Sequence, residues 1–197
     1  MTDLARTAEK TRLAGFFDLT VALVAVAVLL ALAPAPAVRG AIAAGAYGRL
    51  LVPAAAYLLV FFTLGVVWAN HHRLLGAADH VTRLGVWLTL HVLFWISLFP
   101  AVVGEFAAPE GPRRLVPYAV VLSGMASALL LLRVHAYAAE AGNSAMAALH
   151  RSSTYRSLAA ALICAGSIPL AIEVPEGAVV CFLLAPALFL LPEPEAS

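Results

Sequence analysis

Charge is scarce in this chain. Only 12% of its 197 residues are Asp, Glu, Lys or Arg, where a soluble globular domain carries about 25%. Twelve basic residues stand against eleven acidic ones, for a net charge of +1. That leaves neither a basic field for nucleic acid nor an acidic tail for a basic partner, so no nucleic-acid partner is expected. Cysteine is nearly absent: Cys164 and Cys181 both sit inside apolar runs, which excludes a disulfide framework and gives no metal site. They read as small hydrophobes. Neither H-E-x-x-H nor G-x-S-x-G occurs, so hydrolytic chemistry has no support and the chain is not expected to be an enzyme. A T-V-G-Y-G segment is missing too, and any ion selectivity must then come from side chains rather than a backbone carbonyl cage.

What is present is apolar. Hydrophobic residues make up 63% of the chain and its mean hydropathy is +0.95, more apolar surface than one water-soluble core can hide. The expected fold class is an all-α integral membrane protein. A membrane helix needs about 20 mostly apolar residues, and six runs qualify, over about 16–33, 50–68, 84–103, 115–132, 157–172 and 178–191. Together they form a single six-span membrane domain over 1–197. The first span follows a polar segment with no small-residue cleavage site, so it is expected to be retained rather than removed as a signal peptide.

Orientation follows from Lys and Arg in the short connections. Arg6, Lys10, Arg12, Arg73, Arg83, Arg133, Arg151 and Arg156 fall on one side, and Arg39, Arg49, Arg113 and Arg114 on the other. Both termini are therefore predicted cytoplasmic in a multi-pass protein. The stretch from His135 to Arg156 reads as a cytoplasmic connection, partly helical, rather than a second domain.

Ionisable residues in or beside a span are expensive and face a protein interior, a partner or water. Asp18 follows Phe16 and Phe17 inside the first apolar run, although an acid there also suits a helix N-terminus. A second cluster, Trp68-Ala69-Asn70-His71-His72-Arg73-Leu74 with Asp79 and His80 beyond it, lies on the same side of the membrane as Arg12 and Asp18. Its donors and acceptors suit a buried carboxylate. His91 in the third span is a minor candidate. On the first helix, Thr20, Leu23, Ala27 and Leu30 share one face. Around an axis of several subunits that stripe becomes rings of apolar side chains, which gate by dewetting.

These residues resemble a known family. Arg12 to Asp18 is similar to the R-x-x-x-F-S-D signature of the transmembrane protein 175 family of potassium channels. Trp68 to Leu74 resembles that family's W-x-x-H-H-R-L/F segment, and Asp79 adds to the agreement. Leu98-Phe99-Pro100 with Gly104-Glu105-Phe106 is similar to its L-x-P-F-x-x-x-x-G-E pattern. The resemblance implies a prokaryotic member with one six-helix repeat, a homotetramer in the bacterial plasma membrane with the first helix lining a central pore. It implies a potassium-permeable channel without a cofactor, its permeant ion K+, with apolar rings as constriction and selectivity element. Carried over, the motif positions are Arg12, Phe16 and Asp18, the constriction is Leu23, Ala27 and Leu30, Thr20 lines the pore, and Trp68, Asn70, His71 and His72 hold the Asp18 end in place.

Two positions depart from the pattern. Phe17 stands where the family has serine, removing a hydroxyl from the expected network, and Ala27 is smaller than the family's middle ring. Two further readings use the same residues: a proton-coupled transporter built on Asp18 and His72, and a haem-binding redox protein using His71, His91 and His135. A transporter would be expected to show two related halves, and haem requires histidines at matched depth on facing helices. Neither pattern is evident in the sequence.

Overall fold

The structure, a computed structural model, describes residues 3–33, 36–78, 81–107, 114–139 and 144–190. The described residues form eight α-helices and three short 3₁₀ turns, with no strand among them. The helices are α1 (Asp3–Leu32), α2 (Pro36–Ala43), α3 (Leu51–Ala77), α4 (Arg83–Ser97), α5 (Phe99–Val103), α6 (Val116–Ala139), α7 (Ser144–Glu173) and α8 (Pro175–Ala187). Five segments are long and apolar enough to cross a membrane: Thr7–Leu32, Tyr47–Ala77, Arg83–Val103, Val116–Ala138 and Ser153–Glu173. The sixth apolar run is shorter. The 13 residues of α8 and its three-residue 3₁₀ tail rise about 25 Å, less than the roughly 30 Å of a bilayer core.

Several helices outrun the apolar runs that announce them. Residues of good helix propensity, among them Ala8, Glu9, Lys10 and Arg12, carry α1 three turns ahead of Phe16. Asp18 is consequently mid-helix, and the N-terminal capping role does not apply to it. α3 likewise continues through Trp68 and the His pair to Ala77. α6 runs past Leu132 to Ala139 and α7 begins at Ser144, so most of the connection expected between His135 and Arg156 is helix. The third span, expected as one run, is divided at Leu98 into α4 and α5. Pro100 explains the division, since it has no N–H to offer and its ring crowds the carbonyl four residues back.

α6 is the most buried of the five long spans and α1 the least. α6 packs against α4 and α7, with α7 against α8 on its far side, while α1 leans on α3, α4 and α5. Small residues let the central helices approach closely. Gly124 of α6 sits flat against the Trp95 ring of α4: a Cβ there would lie 2.4 Å from the indole carbons. At the heart of the bundle Tyr118 packs its ring on Phe99 and Phe182, 5.5 and 4.7 Å between centroids. Gly124→Ala is expected to destabilise the fold by about 1–3 kcal/mol through overpacking. Thermal unfolding in detergent measures this, and Trp95→Leu in the same chain should recover much of the loss.

Candidate functional site

The sequence-predicted residues converge at one end of the bundle, where α1 and α3 run antiparallel. Lys10 bonds to the end of α3 while Phe17 and Asp18, further along α1, meet residues earlier in α3. The last turns of α3 present successive residues at 100° steps, so one short segment reaches three neighbours. Trp68 and His72, four apart, share the face toward α1. The Trp68 indole Nε1–H donates to Asp18 Oδ1 at 2.8 Å, and the His72 ring lies along the indole with centroids 5.6 Å apart. Asp18, Trp68 and His72 are all exposed at the surface of the single subunit.

One position round, His71 is buried and stacks face to face on Phe17, with ring centroids 3.7 Å apart and 3° between planes. Its Nε2 lies 3.5 Å from the Thr89 hydroxyl of α4. Phe17 is wholly buried. Phe17, where the resemblance leads one to expect serine, therefore leaves no gap beside His71: its ring fills the site and covers the imidazole.

On the far side of α3 the amide of Asn70 is satisfied at both ends. Its Nδ2 donates to Val66 O at 2.8 Å and its Oδ1 accepts from Arg133 Nη2 of α6 at 2.6 Å. Arg133 is 5% exposed, and a buried guanidinium requires such partners. Arg133 was expected in a cytoplasmic connection; it sits instead on the buried side of α6, four residues after buried Leu129 and eleven after buried Leu122. That helical spacing, continued past the end of the apolar run, was the available signal. Two further ties were not foreseen. Thr82 caps α4 by accepting from Gly85 N–H at 2.9 Å and its hydroxyl meets His135 Nε2 of α6 at 2.6 Å. Lys10, the one lysine in the sequence, donates to Ala78 O at the end of α3 at 2.6 Å, a cation where the helix dipole favours one.

Other predicted residues lie apart from this belt. Arg12 is exposed on α1, outside the network, and Asp79 lies outside the described residues. His91 is exposed on α4 and accepts from Trp95 Nε1 at 3.3 Å. The Nε2 atoms of His71, His91 and His135 thus face Thr89, Trp95 and Thr82, and any haem ligation through them would have to displace those side chains. Among the described residues no group of three or more His, Cys, Asp or Glu is placed to hold a metal ion.

Beyond the belt, α1 divides into two faces. Phe17, Val24, Val28 and Leu32 are buried against the bundle, whereas Phe16, Leu19, Leu23, Val26 and Leu30 are each more than half exposed. Leu23 and Leu30 of the expected pore stripe belong to the free ridge, at 60% and 64% exposed. Thr20 and Ala27 sit on its shoulder, half-buried, and the Thr20 hydroxyl donates to Phe16 O of its own helix at 2.8 Å.

Two substitutions test the belt. Phe17→Ser, which installs the family's residue, is expected to destabilise this chain by about 3 kcal/mol, because it empties a buried aromatic site. Asn70→Ala removes an acceptor from the buried Arg133 and should cost about 2 kcal/mol. Both are measured as shifts in thermal unfolding of the detergent-solubilised protein.

Comparison with known proteins points the same way. Residues 12–100 match the model of a family described as the endosomal/lysosomal potassium channel TMEM175. A protein named as a potassium channel in Chryseobacterium sp. (strain P1-3) is 31% identical over 78 residues, 38% of this chain and 41% of that protein. Another so named, from Streptomyces collinus (strain DSM 40733 / Tue 365), is 29% identical over 86 residues, 41% of this chain and 42% of its own length. The match thus spans about two fifths of each of these curated relatives. The fold is similar to the crystal structure of a lysosomal potassium-selective channel TMEM175 homologue from Chamaesiphon minutus, with TM-score 0.67 and 22% identity, covering 93% of this chain and 97% of that one. The segment from Arg12 to Pro100, which holds the α1 anchor and the α3 cluster, is thus the part of the chain that is similar to the TMEM175 family.

Proposed function

We propose that this chain is a potassium-permeable cation channel that assembles as a homotetramer in the bacterial plasma membrane, with α1 lining a central pore. The observation that carries this reading is the division of α1. One face is fixed to the bundle by Phe17, Val24 and Val28, and the other leaves a ridge of large apolar side chains without cover in the single subunit. Four copies around an axis would bring Leu23 and Leu30 together as rings, with Ala27 between them and Thr20 nearer the Asp18 end. Rings of this kind constrict by dewetting and need no carbonyl filter. Ala27 makes the middle ring the widest, so the narrow points are Leu23 and Leu30. The named activity of the bacterial relatives and the fold shared with the Chamaesiphon minutus homologue support the same reading.

In this assembly the belt at the end of α3 acts as the mount of the pore helix. Asp18, Trp68, His71 and His72 set the height and rotation of α1, and Arg12, Phe16 and, by sequence, Asp79 complete the motif. Six spans with both termini cytoplasmic follow when α8 counts as the last, short crossing. The free ion is the only ligand the activity requires, with no cofactor and no covalent step.

Flux into liposomes tests the proposal. Purified protein reconstituted under potassium, sodium and proton gradients should pass potassium, and Leu23→Ala or Leu30→Ala should raise the flux severalfold by widening a ring. Chemical cross-linking before reconstitution should give a four-subunit ceiling. A folded tetramer that passes no cation, or flux indifferent to both leucines, would overturn the reading.

A further inference from the structure

His91 combines two properties that conflict in a membrane: it stands near the middle of a span and on the outside of the subunit. It is eight residues from Arg83 and twelve from Val103 in the third span, and its side chain is exposed. The Trp95 indole Nε1–H donates to its Nε2 at 3.3 Å. An indole nitrogen only donates, so Nε2 is the accepting nitrogen and the ring carries its proton on Nδ1. That Nδ1–H has no acceptor among the described residues. Facing hydrocarbon it would stay unsatisfied, and polar side chains at this depth face a protein partner or water instead. An acceptor with spare capacity is exposed on α1. Asp18 receives Trp68 on Oδ1, and its Oδ2 has no hydrogen bond among the described residues, although a carboxylate has room for about four.

The two groups lie at one depth. His71 of α3 stacks on Phe17 of α1 and meets Thr89 of α4, which brings these three residues to one level. α4 runs antiparallel to α3, as α1 does: His71, six residues before Ala77 at the end of α3, meets Thr89, six residues after Arg83 at the start of α4. At a rise of about 1.5 Å per residue, Asp18 is about 1.5 Å and His91 about 3 Å beyond that level, in the same direction. They also lie on opposite flanks. Asp18 is at the edge of the exposed face of α1 beside α3. Half-buried Thr20 and Ala27 form the other edge, toward α4 and α5, the remaining neighbours of α1. A ring of copies closes when one flank of each subunit meets the opposite flank of the next. The shapes around the two groups agree with such a meeting. Trp87 and Phe94, each more than half exposed, bracket His91 on its stripe of α4, while exposed Gly15 and Ala22 bracket Asp18 on α1. Each large ring is then level with a small residue, and a Cβ built on Gly15 meets nothing within 4 Å.

We propose that adjacent copies of the chain are joined by a hydrogen bond from His91 Nδ1–H of one copy to Asp18 Oδ2 of the next, with Trp87 and Phe94 seated over the next copy's Gly15 and Ala22. Asp18 then holds α1 from two directions, through Trp68 of its own subunit and His91 of its neighbour. The apolar rings around the bond keep lipid and water from it, which strengthens a contact to a carboxylate. This interface rests on the homotetramer of the channel reading and adds the side chains that close it.

Two measurements on the full chain in detergent test it. In the first, a copy carrying Gly15→Cys and a differently tagged copy carrying Trp87→Cys are expressed together and mildly oxidised. A disulfide-linked dimer bearing both tags is expected, and neither Cys variant alone, nor the unaltered chain with Cys164 and Cys181, should give one. In the second, the concentration at which the tetramer half-dissociates is read by native mass spectrometry. His91→Leu should raise it about tenfold or more, the worth of one charge-assisted hydrogen bond, and His91→Gln, which keeps a donor, should recover most of the loss. Should His91→Leu fail to fold, the mixed-tag dimer still decides, since it leaves His91 and Asp18 intact. A tetramer that gives no mixed-tag dimer, or in which folded His91→Leu dissociates no more readily than the unaltered chain, overturns this interface and leaves the channel reading standing. An unaltered chain that forms no tetramer overturns both.

Discussion

The end of the bundle where α1 meets α3 depends on one constraint: the buried polar side chains there, Asn70, His71 and Arg133, must find partners. Asn70 and Arg133 state it most sharply. The amide uses its nitrogen on Val66 O and its oxygen on the guanidinium, and so fixes the rotation of α3 relative to α6. With α3 fixed on that side, His71 and Trp68 have no freedom about where to point on the other. They meet Phe17 and Asp18, and the azimuth of α1 follows. The orientation of the exposed ridge on α1 is thus inherited, through α3, from a buried hydrogen bond on the opposite side of that helix.

Much of this was legible in the sequence. Apolar runs located the five long spans and the shorter sixth segment, and the density of donors between Trp68 and His72 marked the cluster that meets Asp18. Leu23 and Leu30 were placed on one face by spacing alone and occupy the free ridge. What escaped did so for definite reasons. Apolar runs mark only part of a helix, which continues wherever propensity and neighbours allow, so the last turns of α3 and α6, and with the latter Arg133 and His135 as partners of Asn70 and Thr82, carry no apolar signal. Phe17 was read through the hydroxyl it lacks. Its ring supplies a surface, and an imidazole accepts a flat neighbour as readily as a hydrogen bond.

The belt and the core divide the work of holding the subunit together. α6 provides close approach, with Gly124 under Trp95 and Tyr118 between two phenylalanines. Such contacts tolerate little change in volume. The belt at the membrane boundary has few atoms and strong directionality. It determines which way helices face more than how tightly they pack. α1 uses both kinds of contact, packing Phe17, Val24, Val28 and Leu32 on the bundle while Asp18 accepts from Trp68, and it is still the least buried of the long helices, as the proposed pore-lining role requires.

The continuity of α1 has a mechanical consequence. It is a single helix of 30 residues, about 45 Å from end to end, held at its midpoint by Phe17 and Asp18 and along its second half by buried Val24, Val28 and Leu32. A rod clamped along one side turns as a unit. A rotation of the polar arm, whose Lys10 is tethered to the end of α3, is therefore passed to Leu23 and Leu30 together rather than absorbed between them.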